Sequence, residues 1–232
     1  AITLQENVSD TDFTASGVYD FTITGNTIES DTDNLAGTIE RGDKAEGIKF
    51  TINEGVQNGT TNLTAVIENN DIQTRIGDGS EFAVNELAAD GVVFDANITI
   101  NNNRIVQTND NPVGSENKDP RDLIKATFGE DGEGSITTGT FTITNNTVTS
   151  AAGAGDAFNY ESLSTSTSNI FKFKLEGNNF TAADDKDLKI IVPTGYLSIS
   201  APDGTTNFDA YLDSINTDAE TEISGSPEVF RF

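Results

Sequence analysis

Apolar and polar residues alternate in short runs along most of the chain, and five of these runs share one arrangement. FTITGNTI (21–28), AVIENNDI (65–72), ITINNNRI (98–105), FTITNNTV (141–148) and FKLEGNNF (173–180) each place an asparagine three positions after an aliphatic residue, and an apolar residue two positions further on. The sets are Ile23/Asn26/Ile28, Ile67/Asn70/Ile72, Ile100/Asn103/Ile105, Ile143/Asn146/Val148 and Leu175/Asn178/Phe180. Alternation at period two marks a strand with one buried face. Asparagine is depleted in strands, so its recurrence inside such runs marks a bend between two strands. The copies begin 44, 33, 43 and 32 residues apart, within the range of solenoid repeats, so loops of different length separate them.

A second apolar patch recurs between the copies: GIKFTI (47–52), GVVFDA (91–96), DLIKATF (122–128), DAFNYES (156–162) and DLKIIV (187–192). Each period then reads as a strand, a loop, a second strand, a turn holding the asparagine, and a brief third strand such as TVTS (147–150). Three stretches carry helical signals. TNFDAYLDSIN (206–216) spaces Phe208, Tyr211, Leu212 and Ile215 at helical intervals behind the capping residues Thr206 and Asn207, which predicts a short C-terminal capping helix. SEFAVNELAADG (80–91) predicts a short helix in a loop. In DPRDLIKATFG (119–129), Asp119, Pro120 and Gly129 sit where a helix would start and stop, so strand and helix both remain open there.

Three short strands per period, with apolar residues directed to a common axis, resemble the pectin-lyase-like β-helix superfamily, whose coils often carry an asparagine at the bend between the second and third sheets. The likeness covers roughly residues 20–200 and implies an all-β, right-handed parallel β-helix, a single-stranded solenoid of about five to six coils. The expected organisation is a single domain over 1–232: a first partial coil or cap over 1–20, coils over 21–200, and a cap or truncated further coil over 201–232. Stacking would set Asn26, Asn70, Asn103, Asn146 and Asn178 about 4.8 Å apart as a structural turn ladder. At such a bend asparagine tolerates left-handed geometry, and Gly25 and Gly177 at the preceding position support a turn with unusual backbone angles.

Composition narrows the chemistry. Apolar residues make up 34%, with 14 Phe, enough for a folded core. The 38 acidic residues against 13 basic give a net charge of −25, which repels phosphate backbones and anionic lipid, so neither nucleic acid nor membrane insertion is expected. Cysteine, histidine, methionine and tryptophan are absent, which excludes disulfides, thiolate or imidazole metal sites, a Ser/His/Asp triad and a cysteine nucleophile. An Asn-, Thr-, Asp- and Gly-rich chain without cysteine suits a secreted or cell-surface segment of a bacterium, and the missing initiator methionine suits a processed chain or an excised piece.

Candidate sites were weighed against plainer readings. A polysaccharide lyase needs a cation-holding carboxylate set and a basic residue to take the proton α to the uronate carboxyl. Lys49, Lys125 and Lys189 fall on outward positions of the first strands, but only Asp95 stands beside them, so solubility is the plainer role. The acidic loops ESDTDN (29–34), NDNPVGSENKD (109–119), GEDGEG (129–134) and AADDKD (182–187) offer oxygen ligands for a structural Ca²⁺ without any EF-hand spacing. Otherwise no cofactor is expected. Thr22/Thr24, Thr140/Thr142 and Thr142/Thr144 suggest an ice-binding face, yet threonine is an ordinary exposed strand residue. The sequons at Asn7, Asn58, Asn62, Asn97, Asn145 and Asn179 are expected by chance in such a composition. The reading that leaves fewest features over is a non-enzymatic, monomeric adhesin or autotransporter-passenger-like segment binding a protein or glycan on a host or neighbouring cell. The alternative is a polysaccharide-active lyase or hydrolase.

Overall fold

The computed structural model describes residues 2–7, 17–30, 47–53, 60–74, 80–84, 93–107, 122–128, 136–149, 156–163, 166–181, 187–217 and 219–230. Strands follow one another in threes. The first period is β1 (Ile2–Asn7), β2 (Gly17–Thr24) and β3 (Thr27–Ser30); the second is β4 (Ile48–Asn53), β5 (Thr60–Glu68) and β6 (Asp71–Thr74). The third is β7 (Ser80–Val84), β8 (Val93–Asn101) and β9 (Arg104–Gln107), and the fourth β10 (Ile124–Phe128), β11 (Ile136–Thr144) and β12 (Thr147–Thr149). Next come β13 (Phe158–Ser162), β14 (Ile170–Glu176) and β15 (Asn179–Thr181), then β16 (Leu188–Ile191), β17 (Tyr196–Ser200), helix α1 (Phe208–Ile215), β18 (Thr221–Ser224) and β19 (Glu228–Phe230).

From β1 to β14 each strand pairs in parallel with the strand three places later where that strand exists, giving three sheets. The first runs β1-β4-β7-β10-β13-β16-β18, the second β2-β5-β8-β11-β14-β17-β19, and the third β3-β6-β9-β12-β15. Parallel sheets are normally covered by helices. Here the inner faces of the three sheets cover one another and share one apolar core. The two apolar positions of the repeat become two columns. Ile23, Ile67, Ile100, Ile143 and Leu175 lie in register on the second sheet. Ile28, Ile72, Ile105, Val148 and Phe180 lie in register on the third. All ten are buried. In the fourth and fifth periods the core is aromatic: Phe141 stacks on Phe173 at 4.9 Å, and Tyr160 meets them edge-on at 4.9 and 4.8 Å. Gly139 is inward-facing beside this cluster, where a Cβ would collide with the Phe141 ring.

Several expectations are corrected. SEFAV, read as helical, is β7, because β4 and β10 on either side supply its ladder partners and outweigh local helix propensity; residues 85–91 of that stretch lie outside the described residues. Val93–Ala96 of GVVFDA, read as a first-sheet strand, instead run into ITIN as β8 of the second sheet, since β7 already holds the first-sheet place of that period, and residues 91–92 lie outside the described residues. The open stretch 119–129 is strand over Ile124–Phe128, and its flanks at 119–121 and 129 lie outside the described residues. Among the described residues the strands fall into five complete threes, β1 to β15, followed by β16 and β17, and β1, before residue 21, with β18 and β19, after residue 200, extends the first two sheets. Helix α1 lies within 206–216, with Asn207 as its N-cap accepting from the Ala210 N–H at 3.1 Å, and it buries Phe208 and Leu212.

Candidate functional site

The bend between the second and third sheets uses two residues for two tasks. The first takes the left-handed conformation: Gly25 (φ 69°), Asn69 (56°), Asn102 (52°), Asn145 (57°) and Gly177 (68°). The expectation that the motif asparagine itself accommodates the left-handed geometry is therefore corrected by one position. Glycine and asparagine are the residues that accept this conformation most readily. The second residue points inward and is buried at Asn70, Asn103, Asn146 and Asn178; Asn26, in the first period, is exposed.

The inward amides are hydrogen-bonded throughout. Asn103 Oδ1 accepts from the Asn70 backbone N–H at 2.9 Å and from Asn70 Nδ2 at 3.0 Å. Its own Nδ2 donates to Asn146 Oδ1 at 3.0 Å and to the Ile67 carbonyl of the previous period at 2.9 Å. The same scheme joins Asn26 to Asn70, Asn146 to Asn178 and Asn178 to Asn216, with amide-to-amide distances of 2.9–3.1 Å. Backbone pairing continues through the bend: Asn145 N–H donates to the Glu176 carbonyl and Asn179 N–H to the Asn146 carbonyl. Burying an amide is costly unless its donors and acceptors are met, and here the neighbouring rung meets them. The amide-to-amide bonds all run the same way, so they can polarise one another along the row.

The sixth rung, Asn216, does not fit the repeat. It follows α1, and its Nδ2 donates to the Leu212 carbonyl at 3.0 Å while the Gly177 N–H donates to the Ile215 carbonyl at 3.1 Å. Carbonyls in the last turn of α1, orphaned in an isolated helix, are thus occupied by the end of the ladder. The usable signal was spacing: Asn216 lies 38 residues after Asn178, within the range of the other periods.

The outer faces carry the other candidates. On the first sheet Lys49, Lys125 and Lys189 share one row, but the register interleaves them: Lys49, Glu81, Lys125, Asn159, Lys189, Glu222. Asp95 belongs to the second sheet, so the expected pairing of that acid with the lysines does not form. At the entry to the first sheet is a group that the sequence reading passed over, although DLIKATF, DAFNYES and DLKIIV all open on aspartate. Asp122 accepts from the Asp156 N–H at 3.0 Å and from Asn159 Nδ2 at 2.9 Å, and Asp187 accepts from the Glu220 N–H at 2.9 Å. Lys189 Nζ lies 3.9 Å from Asp156 Oδ2. Burial pushes the Asp122 carboxyl above the ordinary aspartate range, opposed by the Asn159 and Asp156 hydrogen bonds and by Lys125 and Lys189. These contacts tie neighbouring strands of the first sheet together, with Asp122 and Asp187 accepting from backbone donors. Among the described residues no three acidic side chains converge in a way that could hold a metal ion. The loop segments 31–34, 109–119, 129–134 and 182–186 read as possible Ca²⁺ ligands lie outside the described residues.

The second sheet has the longest strands, β5, β8 and β11. Thr64, Asn97 and Thr140 stand in register, beside the row Val66, Thr99 and Thr142. Asp20 and Thr22 extend these rows at one end and Lys172 and Lys174 at the other, and the next row holds Thr24, Glu68, Asn101, Thr144 and Glu176. Tyr196 donates its hydroxyl to Glu228 Oε2 at 2.8 Å, and that bond raises the phenol above its ordinary value. Compared with protein-family models, with curated proteins and with solved structures, the chain matches none of them.

Proposed function

We propose that the chain winds as one right-handed parallel β-helix through its three sheets and acts, secreted or at the cell surface, as a non-enzymatic binding segment in adhesion. The observation that supports this most is the outer face of β5, β8 and β11, where the hydroxyls and amide of Thr64, Asn97, Thr140, Thr99 and Thr142 group around Val66, with the charges of Asp95 and Glu68 set to either side, on a chain of net charge −25. Hydroxyl and amide groups there recur about every 4.8 Å from strand to strand, which suits a repeating polar ligand such as a surface glycan. A rigid sheet holds such groups in fixed positions, so little ordering is needed on binding. The lyase alternative has less behind it, because its lysine row alternates with Glu81, Asn159 and Glu222.

The test is binding of the labelled protein to a glycan array and to intact cells, with Thr140→Arg/Thr142→Arg as the altered face and circular dichroism as the folding control. Binding that drops about tenfold or more in that variant supports the reading, since two large cations would disrupt close contact. Turnover of polygalacturonate or alginate, seen as unsaturated-product absorbance, would replace it with the lyase.

A further inference from the structure

The asparagine ladder has a direction, and its two ends differ. Each rung gives its backbone N–H and its Nδ2 to the Oδ1 of the next, as Asn26 does to Asn70 and Asn70 to Asn103. The inner rungs also give Nδ2 to the carbonyl of the aliphatic residue one period earlier: Asn70 to Ile23, Asn103 to Ile67, Asn146 to Ile100 and Asn178 to Ile143, at 2.8–2.9 Å. At the C-terminal end the ladder closes on α1, where Asn216 Nδ2 donates to the Leu212 carbonyl. The strand edges on that side are blunted as well, since Pro227 precedes β19 and the exposed Glu222 and Glu228 stand on β18 and β19.

The N-terminal end is open. Among the described residues no group donates to Asn26 Oδ1, and Asn26 is exposed where the next four rungs are buried. Its Nδ2, with no earlier aliphatic carbonyl to reach, turns to the Thr24 carbonyl of its own turn at 3.0 Å. β2 and β3, on either side of this rung, are the last strands of their sheets. Phe21 stacks on Phe50 at 5.6 Å but stays half-buried, while Ala65, Ile98, Phe141 and Phe173 in its column are buried. Between Asp20 and Glu29 the edge FTITGNTI carries no charge.

We propose that this end is a docking site for an extended strand of another polypeptide that carries the chain's own apolar-x-x-Asn-x-apolar spacing and adds in parallel along β2 and β3. The unmet groups set the chemistry. An incoming asparagine supplies the N–H and Nδ2 that Asn26 Oδ1 lacks, and the aliphatic residue three places before it supplies the carbonyl that Asn26 Nδ2 lacks. Apolar residues on the incoming strand then cover Phe21, Ile23 and Ile28, as each later period covers the one before it. A second intact copy does not fit, because the ladder donors at its far end are already held by the Leu212 carbonyl.

The probe is a fluorescein-labelled peptide of residues 139–149, GTFTITNNTVT, whose Phe141, Ile143, Asn146 and Val148 align with Phe21, Ile23, Asn26 and Ile28. Binding to the full chain is followed by anisotropy at concentrations up to about 1 mM, and backbone hydrogen exchange locates it. The peptide is expected to bind and to protect β2 and β3, leaving β18 and β19 unchanged. Asn146→Leu in the peptide, or Asn26→Leu in the chain with circular dichroism confirming folding, is expected to weaken binding at least tenfold. A peptide that does not bind, that binds equally well with leucine at either place, or that protects β18 and β19 instead would overturn the proposal.

Discussion

Asparagines 145 and 146 are adjacent, similarly polar and differently employed. Asn145 is exposed at φ 57°, in the place that glycine takes at 25 and 177, so Asn145→Gly is expected to change stability by under about 0.5 kcal/mol. Asn146 is buried; its oxygen serves Asn103 and its amide serves Ile100 and Asn178. Asn146→Leu removes these partners together and strands buried donors, at a cost of roughly 3–5 kcal/mol. Chemical denaturation of the two variants side by side separates the tasks; equal effects would mean that the bend, and not the ladder, sets stability. The apolar-Asn-apolar spacing made five rungs legible in the sequence because each rung is a local pattern. Asn216 was not, because α1 displaces the aliphatic residue that precedes every other rung.

Elements were legible where the chain itself dictates them. The second and third strands of each period could be read from alternation, and α1 from its apolar spacing and cap. SEFAV could not: its strand state comes from β4 and β10, whose residues are more than 25 positions away in sequence. GVVFDA misled for a related reason, since alternation marks a strand without saying which sheet receives it. At α1 the cap is a separable contribution. Asn207→Ala removes the acceptor for the Ala210 N–H and is expected to cost about 1 kcal/mol in the unfolding midpoint. Because α1 also ends the ladder through Leu212 and Ile215, a larger loss would show that helix and ladder unfold as one unit.

For the whole molecule, charge and ladder make opposite kinds of prediction. The carboxyls of Asp122 and Asp209 are raised, chiefly by burial, so the folded state holds their protons more tightly than the unfolded state. Stability contributed by that protonation is lost as pH rises through the raised values and regained as pH falls towards the ordinary aspartate value. Lowering pH also reduces the repulsion of a chain at −25 with a pI of about 4.1. The melting temperature is thus expected to rise as pH falls from 7 towards the ordinary aspartate range, and a steady fall over that interval would contradict the account. The ladder, by contrast, is uncharged and should persist across this range. It spans every period from Asn26 to Asn216, and its most direct test is hydrogen exchange of the asparagine side-chain amides followed by NMR. Protection of Asn70, Asn103, Asn146 and Asn178 approaching that of the core strands, with exposed Asn62 and Asn97 exchanging freely, is the expected result; rung amides exchanging as fast as Asn62 and Asn97 would contradict it.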